Sequence, residues 1–278
     1  MFDLLKNKKI LITGGLGFIG SNLAICCVAN GAEVTIMDSM APNTGANLHN
    51  IKSIKKNIHF YPYDILDFDR VSELVIDQDI VFNCAASTSH PFSMKEPWLN
   101  LDVNSRGVIN ILEAIKRFNP KSRFIHLGTT TQIGKQIVEF ADETHSEFPT
   151  DIYSANKCVS EKYVLIYAAA HKLRASVVRL SNTYGPRAAI HSPDFTFNNY
   201  FIGLSLLDKE ITVYGEGGQK RNFIYIEDAV SAIIAVALED KSIGETYFGV
   251  GDEHFSVSEI AKKIVSVIGH GSVTSIGW

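Results

Sequence analysis

The chain has little of what marks a disulfide scaffold, a nucleic-acid-binding protein or a membrane protein. It has only four cysteines among 278 residues, and neither these nor its nine histidines are spaced as metal ligands, so we expect no metal site. The formal net charge is −4, so no basic excess favours a nucleic-acid backbone. No apolar run approaches the roughly 18 residues of a membrane span. We therefore expect a cytoplasmic protein with reduced thiols and with neither nucleic-acid nor membrane partners.

The first two thirds of the chain alternate short apolar runs with helical patterns. The predicted strands cover residues 9–13, 33–37, 57–61, 79–83, 123–128 and 175–180, and the helices between them cover 18–30, 67–76, 93–118 and 151–171. Strands of continuous apolar residues that alternate with helices indicate an α/β fold, in which a doubly wound parallel sheet is covered on both faces.

After about residue 185 the strands become short and interrupted. The remaining predicted strands are 210–214, 222–225 and 246–250, and the remaining helices are 195–208, 227–239 and 256–268. We predict a main domain over residues 1–185, to which 222–240 returns, and a smaller lobe over 186–278.

A glycine-rich turn, TGGLGFIG at residues 13–20, joins the first predicted strand to the first helix. Gly14, Gly17 and Gly20 provide positions where the backbone needs a positive φ or must come close to a ligand. Phe18 and Ile19 begin the helix, and their N–H groups can meet a phosphate at its positive end. The turn therefore predicts a dinucleotide site, although a tight turn that binds nothing is the alternative.

Asp38 ends the second predicted strand, about 20 residues after the turn, which is the spacing of a ribose-binding carboxylate. A carboxylate there accepts hydrogen bonds from both ribose hydroxyls and repels a 2′-phosphate. No Lys or Arg follows between residues 39 and 51 to offset that repulsion. We predict NAD as the cofactor, in preference to NADP.

Tyr153 and Lys157 form a Y-x-x-x-K pair on one face of a predicted helix. A nearby ammonium group would lower the pKa of the tyrosine, so Tyr153 could act as an acid/base near neutral pH. The pair alone is weak evidence, since an exposed tyrosine and a solvated lysine would also satisfy it. Its context strengthens it, because Thr129 follows a predicted parallel strand at the edge where ligands bind.

In this order, the motifs resemble the extended short-chain dehydrogenase/reductase family, and in particular its NAD-dependent epimerase/dehydratase group. The matching segments are 13–20, Asp38, 64–65, 83–86, 104–107, 128–134, Tyr153 with Lys157, 179–187 and 221–229. The resemblance implies a Rossmann sheet with a C-terminal substrate-binding lobe and a nucleotide-diphosphate sugar as the substrate. It also implies a homodimer in which helices 93–118 and 151–171 form a four-helix bundle.

The resemblance also implies roles for single residues. Thr129, Tyr153 and Lys157 would be catalytic, and Lys157 would also hydrogen-bond the nicotinamide ribose. The further cofactor contacts would be Asp64 and Ile65 at the adenine, with Ala85, Ala86 and Asn104 along the cofactor. The substrate contacts would be Thr130, Asn182, Arg187 and Arg221.

Departures from the family pattern bear on the reaction. Sugar 4,6-dehydratases of the family carry Asp-Glu directly after the catalytic Thr, where this chain has Thr130 and Thr131. The decarboxylases usually carry a Glu at the second of these positions. Ile133 replaces a usual tyrosine, and the chain ends before the last elements usual in the family, so we expect a C-terminally truncated lobe.

The sequence therefore predicts an NAD-dependent nucleotide-sugar epimerase that acts at C4 through a transient keto sugar. The alternatives are a nucleotide-sugar reductase, dehydrogenase or decarboxylase of the same family. A non-catalytic NAD-binding protein is a further alternative, against which the intact Thr129, Tyr153 and Lys157 speak.

Overall fold

A computed structural model describes residues 2–42 and 44–277. The strands are β1 (Lys9–Thr13), β2 (Glu33–Met37), β3 (Ile58–Tyr61), β4 (Ile80–Asn83), β5 (Arg123–Thr129), β6 (Arg174–Leu180), β7 (Asn182–Tyr184), β8 (Glu210–Tyr214), β9 (Lys220–Tyr225), β10 (Thr246–Gly249), β11 (His254–Ser256) and β12 (Ser272–Ile276). The α-helices are α1 (Phe18–Ala29), α2 (Phe68–Val75), α3 (His90–Lys95), α4 (Pro97–Leu101), α5 (Gly107–Phe118), α6 (Ile152–His171), α7 (Phe197–Leu206), α8 (Ile226–Leu238) and α9 (Val257–Ile268).

The main sheet has seven parallel strands in the order β10-β6-β5-β4-β1-β2-β3. Successive residues of β1 point to opposite faces, so Ile10 and Ile12 pack with α1 and α8. Leu11 packs on the other face, with α2, α5 and α6. Helices thus cover both faces, and the predicted doubly wound α/β fold is confirmed.

The C-terminal part of the chain interleaves with the main sheet. Helix α8 packs beside α1 on the sheet, and β10 extends the sheet next to β6. A separate apolar cluster joins α7, β8, α9 and β12 around Phe201, Ile211 and Ala261. The segment 222–240 was expected to return to the main domain, but β10, which also joins the main sheet, lies outside it. The domain boundaries 1–185 and 186–278 stay a prediction.

The predicted helix over residues 93–118 is confirmed over 97–118, where α4, a π-helical turn and α5 follow one another without a break, but its start is wrong because α3 is separate. Glu96 has φ −124° and ψ 66°, which ends α3 before Pro97 begins α4. A proline disfavours the helical conformation of the residue before it, so the break follows from Pro97. A π-helical turn, Asp102–Arg106, then leads into α5. In the described part of the chain, no helix is long and apolar enough to cross a membrane.

Candidate functional site

The glycine turn lies at the carboxyl edge of the sheet, between β1 and α1. Gly14 has φ +67°, and a Cβ on it would lie 2.6 Å from the backbone nitrogen of Ala85. A Cβ on Gly20 would lie 2.3 Å from the Gly14 carbonyl oxygen. Gly17 caps α1, whose first turn has no side-chain cap, so the N–H groups of Phe18 and Ile19 are open to a phosphate. The turn has the backbone cradle that a dinucleotide diphosphate needs.

Asp38 is buried just beyond β2 and is tied to the glycine turn. One carboxylate oxygen accepts a hydrogen bond from Leu16 N at 3.0 Å, and the other accepts one from Met40 N at 2.9 Å. Burial raises the pKa of Asp38, and the charge of Asp64 adds to this shift, while the two backbone hydrogen bonds lower it. The carboxylate therefore fixes the shape of the turn, and its contact with a ribose stays a prediction.

The expected adenine contacts lie on the loop after β3. The Asp64 carboxylate accepts a hydrogen bond from Leu66 N at 2.9 Å. The Ile65 side chain is buried against α5, where a Cβ on Gly107 would lie 2.5 Å from its Cδ1 atom. Asn110 donates to the Ile65 carbonyl at 3.0 Å and fixes the loop. The core packing explains Gly107, and the adenine contact stays a prediction.

Ala85 and Ala86 lie on the loop after β4, and the Ala85 backbone lies directly under Gly14. Asn104, in the π-helical turn, accepts from Ser87 N at 3.1 Å and donates to Ser87 O at 2.9 Å. Both polar atoms of this fully buried amide are thus engaged by the loop. The structure places Asn104 as a support for residues 85–87, whereas sequence reasoning expected it at the cofactor.

Tyr153 and Lys157 lie on α6 below the end of β5, and both are buried. The Lys157 ammonium donates to the Leu127 carbonyl at 2.7 Å, and burial lowers the pKa of Lys157 to about 8. Burial raises the pKa of Tyr153, and the charge of Asp151 raises it further, while a hydrogen bond with Thr129 acts in the opposite direction. The sequence predicted a lowered pKa for Tyr153, but the pKa is raised, because burial is the largest cause and Lys157 is not among the causes.

A chain of hydroxyl groups connects Thr129 to the start of α6. The Thr129 and Thr131 hydroxyl oxygens lie 3.1 Å apart, and Ser154 donates to the Thr131 oxygen at 3.1 Å. Asp151 caps α6 by accepting from Ser154 N at 2.8 Å. Thr130 is half-buried beside this chain.

His90 joins this group from α3. Its Nδ1 atom lies 2.8 Å from an Asp151 carboxylate oxygen, and its ring meets the Tyr153 ring edge-on at 4.8 Å between centroids. The structure buries His126 between Asn83 and Ser160 and leaves His145 on an exposed loop.

The expected substrate residues divide into two groups. Asn182 on β7 donates to the Asn222 carbonyl of β9 at 3.0 Å, and Arg221 precedes that residue and is exposed. The pairing of β7 with β9 therefore brings Asn182 and Arg221 to one side of the site. Arg187 points elsewhere, because its guanidinium donates to Asn22 on α1.

Over residues 2–42 and 44–277, no group of three His, Cys, Asp or Glu side chains is placed to hold a metal ion. The residues that the structure collects at the carboxyl edge are instead suited to a dinucleotide and to proton transfer.

Comparison with known proteins agrees with this arrangement. Residues 10–251 match the profile of the NAD dependent epimerase/dehydratase family. The chain is 34% identical to a UDP-N-acetyl-alpha-D-glucosaminuronate decarboxylase from Bacillus cytotoxicus, over 92% of this chain and 79% of the relative. It is 32% identical to a dTDP-D-glucose 4,6-dehydratase from Dictyostelium discoideum, over 95% of this chain and 63% of the relative. It thus spans less than two thirds of that second relative.

Among solved structures, the fold matches a UDP-glucose 4-epimerase from Thermotoga maritima that was determined with UDP-glucose. The TM-score is 0.87 at 26% identity, and the match covers 96% of this chain and 85% of that one.

Proposed function

Because the chain belongs to the NAD-dependent epimerase/dehydratase family, we propose that it epimerises a nucleotide-diphosphate sugar at C4. The predicted family is confirmed, and NAD is the cofactor of that family. The observation that carries the proposal is the buried Tyr153 next to Thr129, with no carboxylate at position 130 or 131. Such a site can move a hydroxyl proton but lacks the acid and base for removing water at these positions.

Each catalytic side chain has a separate task in this proposal. The Tyr153 oxygen takes the proton of the sugar hydroxyl and later returns it. The Thr129 hydroxyl, at the end of β5, hydrogen-bonds the same sugar oxygen and holds it near the phenol. Lys157 is fixed on the Leu127 carbonyl, and from there it would hold the nicotinamide ribose. Bound NAD supplies the acceptor and donor of hydride.

The cofactor would be held by the parts of the site that fit it geometrically. The glycine turn and the first N–H groups of α1 would bind the diphosphate, and Asp38 would accept the ribose hydroxyls. Asp64 and Ile65 would border the adenine, and Ala85 and Ala86 would lie beside the cofactor. For the sugar nucleotide, we propose contacts from Thr130, Asn182 and Arg221, in keeping with the UDP-glucose of the Thermotoga maritima structure.

A second candidate reaction is dehydration or decarboxylation, which the names of the relatives favour. It would need an acid and a base close to the sugar. Thr130 and Thr131 provide neither, and Thr131 is engaged with Thr129 and Ser154. A reductase or dehydrogenase, and a non-catalytic NAD-binding protein, remain further alternatives that the same experiment distinguishes.

We also propose that the protein is a homodimer formed through α4 and α6. These helices contact each other and expose large apolar side chains. The exposed fractions are 77% for Trp98, 44% for Leu99 and 56% for Ile166. Large exposed apolar side chains on neighbouring helices are typical of an interface.

The proposed reaction is tested by proton NMR of the products formed from UDP-glucose, UDP-N-acetylglucosamine, UDP-glucuronate and dTDP-glucose with added NAD. We expect the C4 epimer of at least one of them and no net NADH. The Tyr153→Phe variant should lose the activity by about 100-fold or more, whereas Tyr163→Phe, on the same helix, should retain it. A deoxy-sugar methyl signal, a pentose product, steady NADH turnover or no conversion at all would each refute the 4-epimerase.

A further inference from the structure

The loop that follows β7 holds an arginine in an unusual backbone conformation. Arg187 has φ +73°, and it follows Pro186 and Gly185, whose φ is +139°. A residue with a Cβ rarely adopts the left-handed region, and such conformations cluster at functional sites. The strap formed by residues 185–187 is therefore held in place by contacts that overcome this cost.

Asn22 on α1 supplies those contacts. Its side-chain nitrogen donates to the Phe18 carbonyl at 2.8 Å and to the Pro186 carbonyl at 3.0 Å. Its oxygen accepts from Arg187 Nε at 3.1 Å and from Nη2 at 2.6 Å. Asn22 is only 7% exposed, so this amide pins the strap to the first two turns of α1.

Arg187 is exposed, and its pinned guanidinium keeps one nitrogen free to bind a ligand. Within residues 2–42 and 44–277, Arg187 forms no ion pair, and its Nη1 group has no hydrogen-bond partner. The first turn of α1 has no acidic residue either. The Arg187 charge therefore lies beside the positive end of a helix dipole, where an anion would relieve the repulsion.

We propose that Arg187 binds the diphosphate of the dinucleotide cofactor and not the diphosphate of the sugar substrate. The pair of Asn22 and Arg187 lies on the first two turns of α1, the helix that follows the glycine turn, while Arg221 is left to the substrate on β9. An arginine fork matches a phosphate in charge and geometry. The strap also joins the substrate side of the site to the cofactor helix.

This proposal rests on NAD binding at the glycine turn and is independent of the sugar that is converted. Calorimetric titrations of the full chain with NAD, ADP, adenosine and UDP, without any turnover, test it. Arg187→Gln should lower the affinity for NAD and for ADP by about tenfold or more, because a charge-assisted hydrogen bond is lost. The affinities for adenosine, which has no phosphate, and for UDP should change by less than about twofold, because neither would lose this hydrogen bond.

Arg221→Gln is the matched control, since it removes another arginine at the same site. Arg221→Gln should leave the affinities for NAD and ADP unchanged, whether or not it lowers the affinity for UDP. Arg187→Lys, which keeps the charge but loses the fork, should lie between the wild type and Arg187→Gln, and its fold should be checked by near-ultraviolet circular dichroism. Unchanged NAD and ADP binding in folded Arg187→Gln, or a loss of UDP binding instead, would overturn the proposal.

Discussion

Asp38 connects cofactor selection with the shape of the glycine turn, because the same carboxylate binds Leu16 N and would accept the ribose hydroxyls. We expect Asp38→Asn to weaken NAD binding by about tenfold or more, through the loss of charge-assisted hydrogen bonds. Burial raises the pKa of Asp38, so protonation on the acid side begins at a higher pH than for an exposed aspartate. The NAD affinity of the wild type, measured by calorimetry, should therefore decrease as the pH is lowered. The affinity of Asp38→Asn should change less over the same pH range. Equal affinities in the two proteins would contradict this role.

Asp151 opposes the ionisation of Tyr153, because its charge adds to burial in raising the pKa of the phenol. Asp151→Asn should lower that pKa while keeping a good cap for α6. We expect the acid limb of the kcat/KM profile to move to lower pH in this variant. Asp142→Asn, on the exposed loop, serves as the control and should leave the profile unchanged. A limb that stays in place or moves to higher pH would refute the assignment.

Helix α6 is joined to the sheet by a buried ion pair that also supports the catalytic loop. Arg179 on β6 donates to Glu161 at 2.8 Å, and Glu161 accepts from Gln132 at 3.0 Å. Gln132 in turn accepts from Thr129 N at 3.0 Å. Burial raises the pKa of Glu161, but the Arg179 guanidinium more than offsets this and leaves the pKa lowered. The stability that this pair contributes is present above the unfolded-state pKa and is lost as the pH falls through the lowered folded-state pKa.

Glu161→Gln should lower the free energy of unfolding by up to roughly 3–5 kcal/mol, because it leaves the buried Arg179 charge paired with Glu147 alone. Glu73→Gln is the control, since it breaks the exposed pair with Arg70 and should cost less than about 1 kcal/mol. Urea unfolding at pH 7 measures both. Similar losses in the two variants would show that the buried pair has no special weight.

The surface of α4 and α6 carries the proposed dimer contact. Trp98→Glu would place a charge in the centre of that apolar surface, so we expect a monomer of unchanged fold. Light scattering after size-exclusion chromatography measures the mass, and Met94→Glu, on the neighbouring α3, tests whether any exposed apolar residue nearby has the same effect. A wild type that is already monomeric, or a Trp98→Glu variant that is still dimeric, would contradict the proposal.

At the scale of the whole molecule, the sequence predicted best the elements that are buried on both sides. Strands such as β1 and β2 are mostly apolar and largely buried, and their predicted bounds match the structure. The strands β7, β11 and β12 were missed, since β7 and β11 have only three residues each and β12 has little apolar pattern. The pairing of β10 with β6 in the main sheet could not be predicted from local sequence, because the paired residues are about 70 positions apart.

Single-residue roles were predictable where geometry follows from local spacing, and harder where it depends on packing. The glycine turn and the Tyr153–Lys157 pair follow from one turn and one helix. The side chains of Asn104 and Arg187 are oriented by hydrogen bonds with Ser87 and Asn22, which lie in other parts of the sequence. The contacts expected from the sequence did not include these partners.

The central claim, a reversible oxidation of a sugar hydroxyl in which Tyr153 moves the proton, is tested most directly with deuterium at C4 of whichever of the four named nucleotide sugars the protein converts. The account predicts a C4 epimer that retains the deuterium, with none lost to water, and almost no product from Tyr153→Phe. An epimer that has exchanged its C4 deuterium with solvent, or that forms equally fast with Tyr153→Phe, would contradict it.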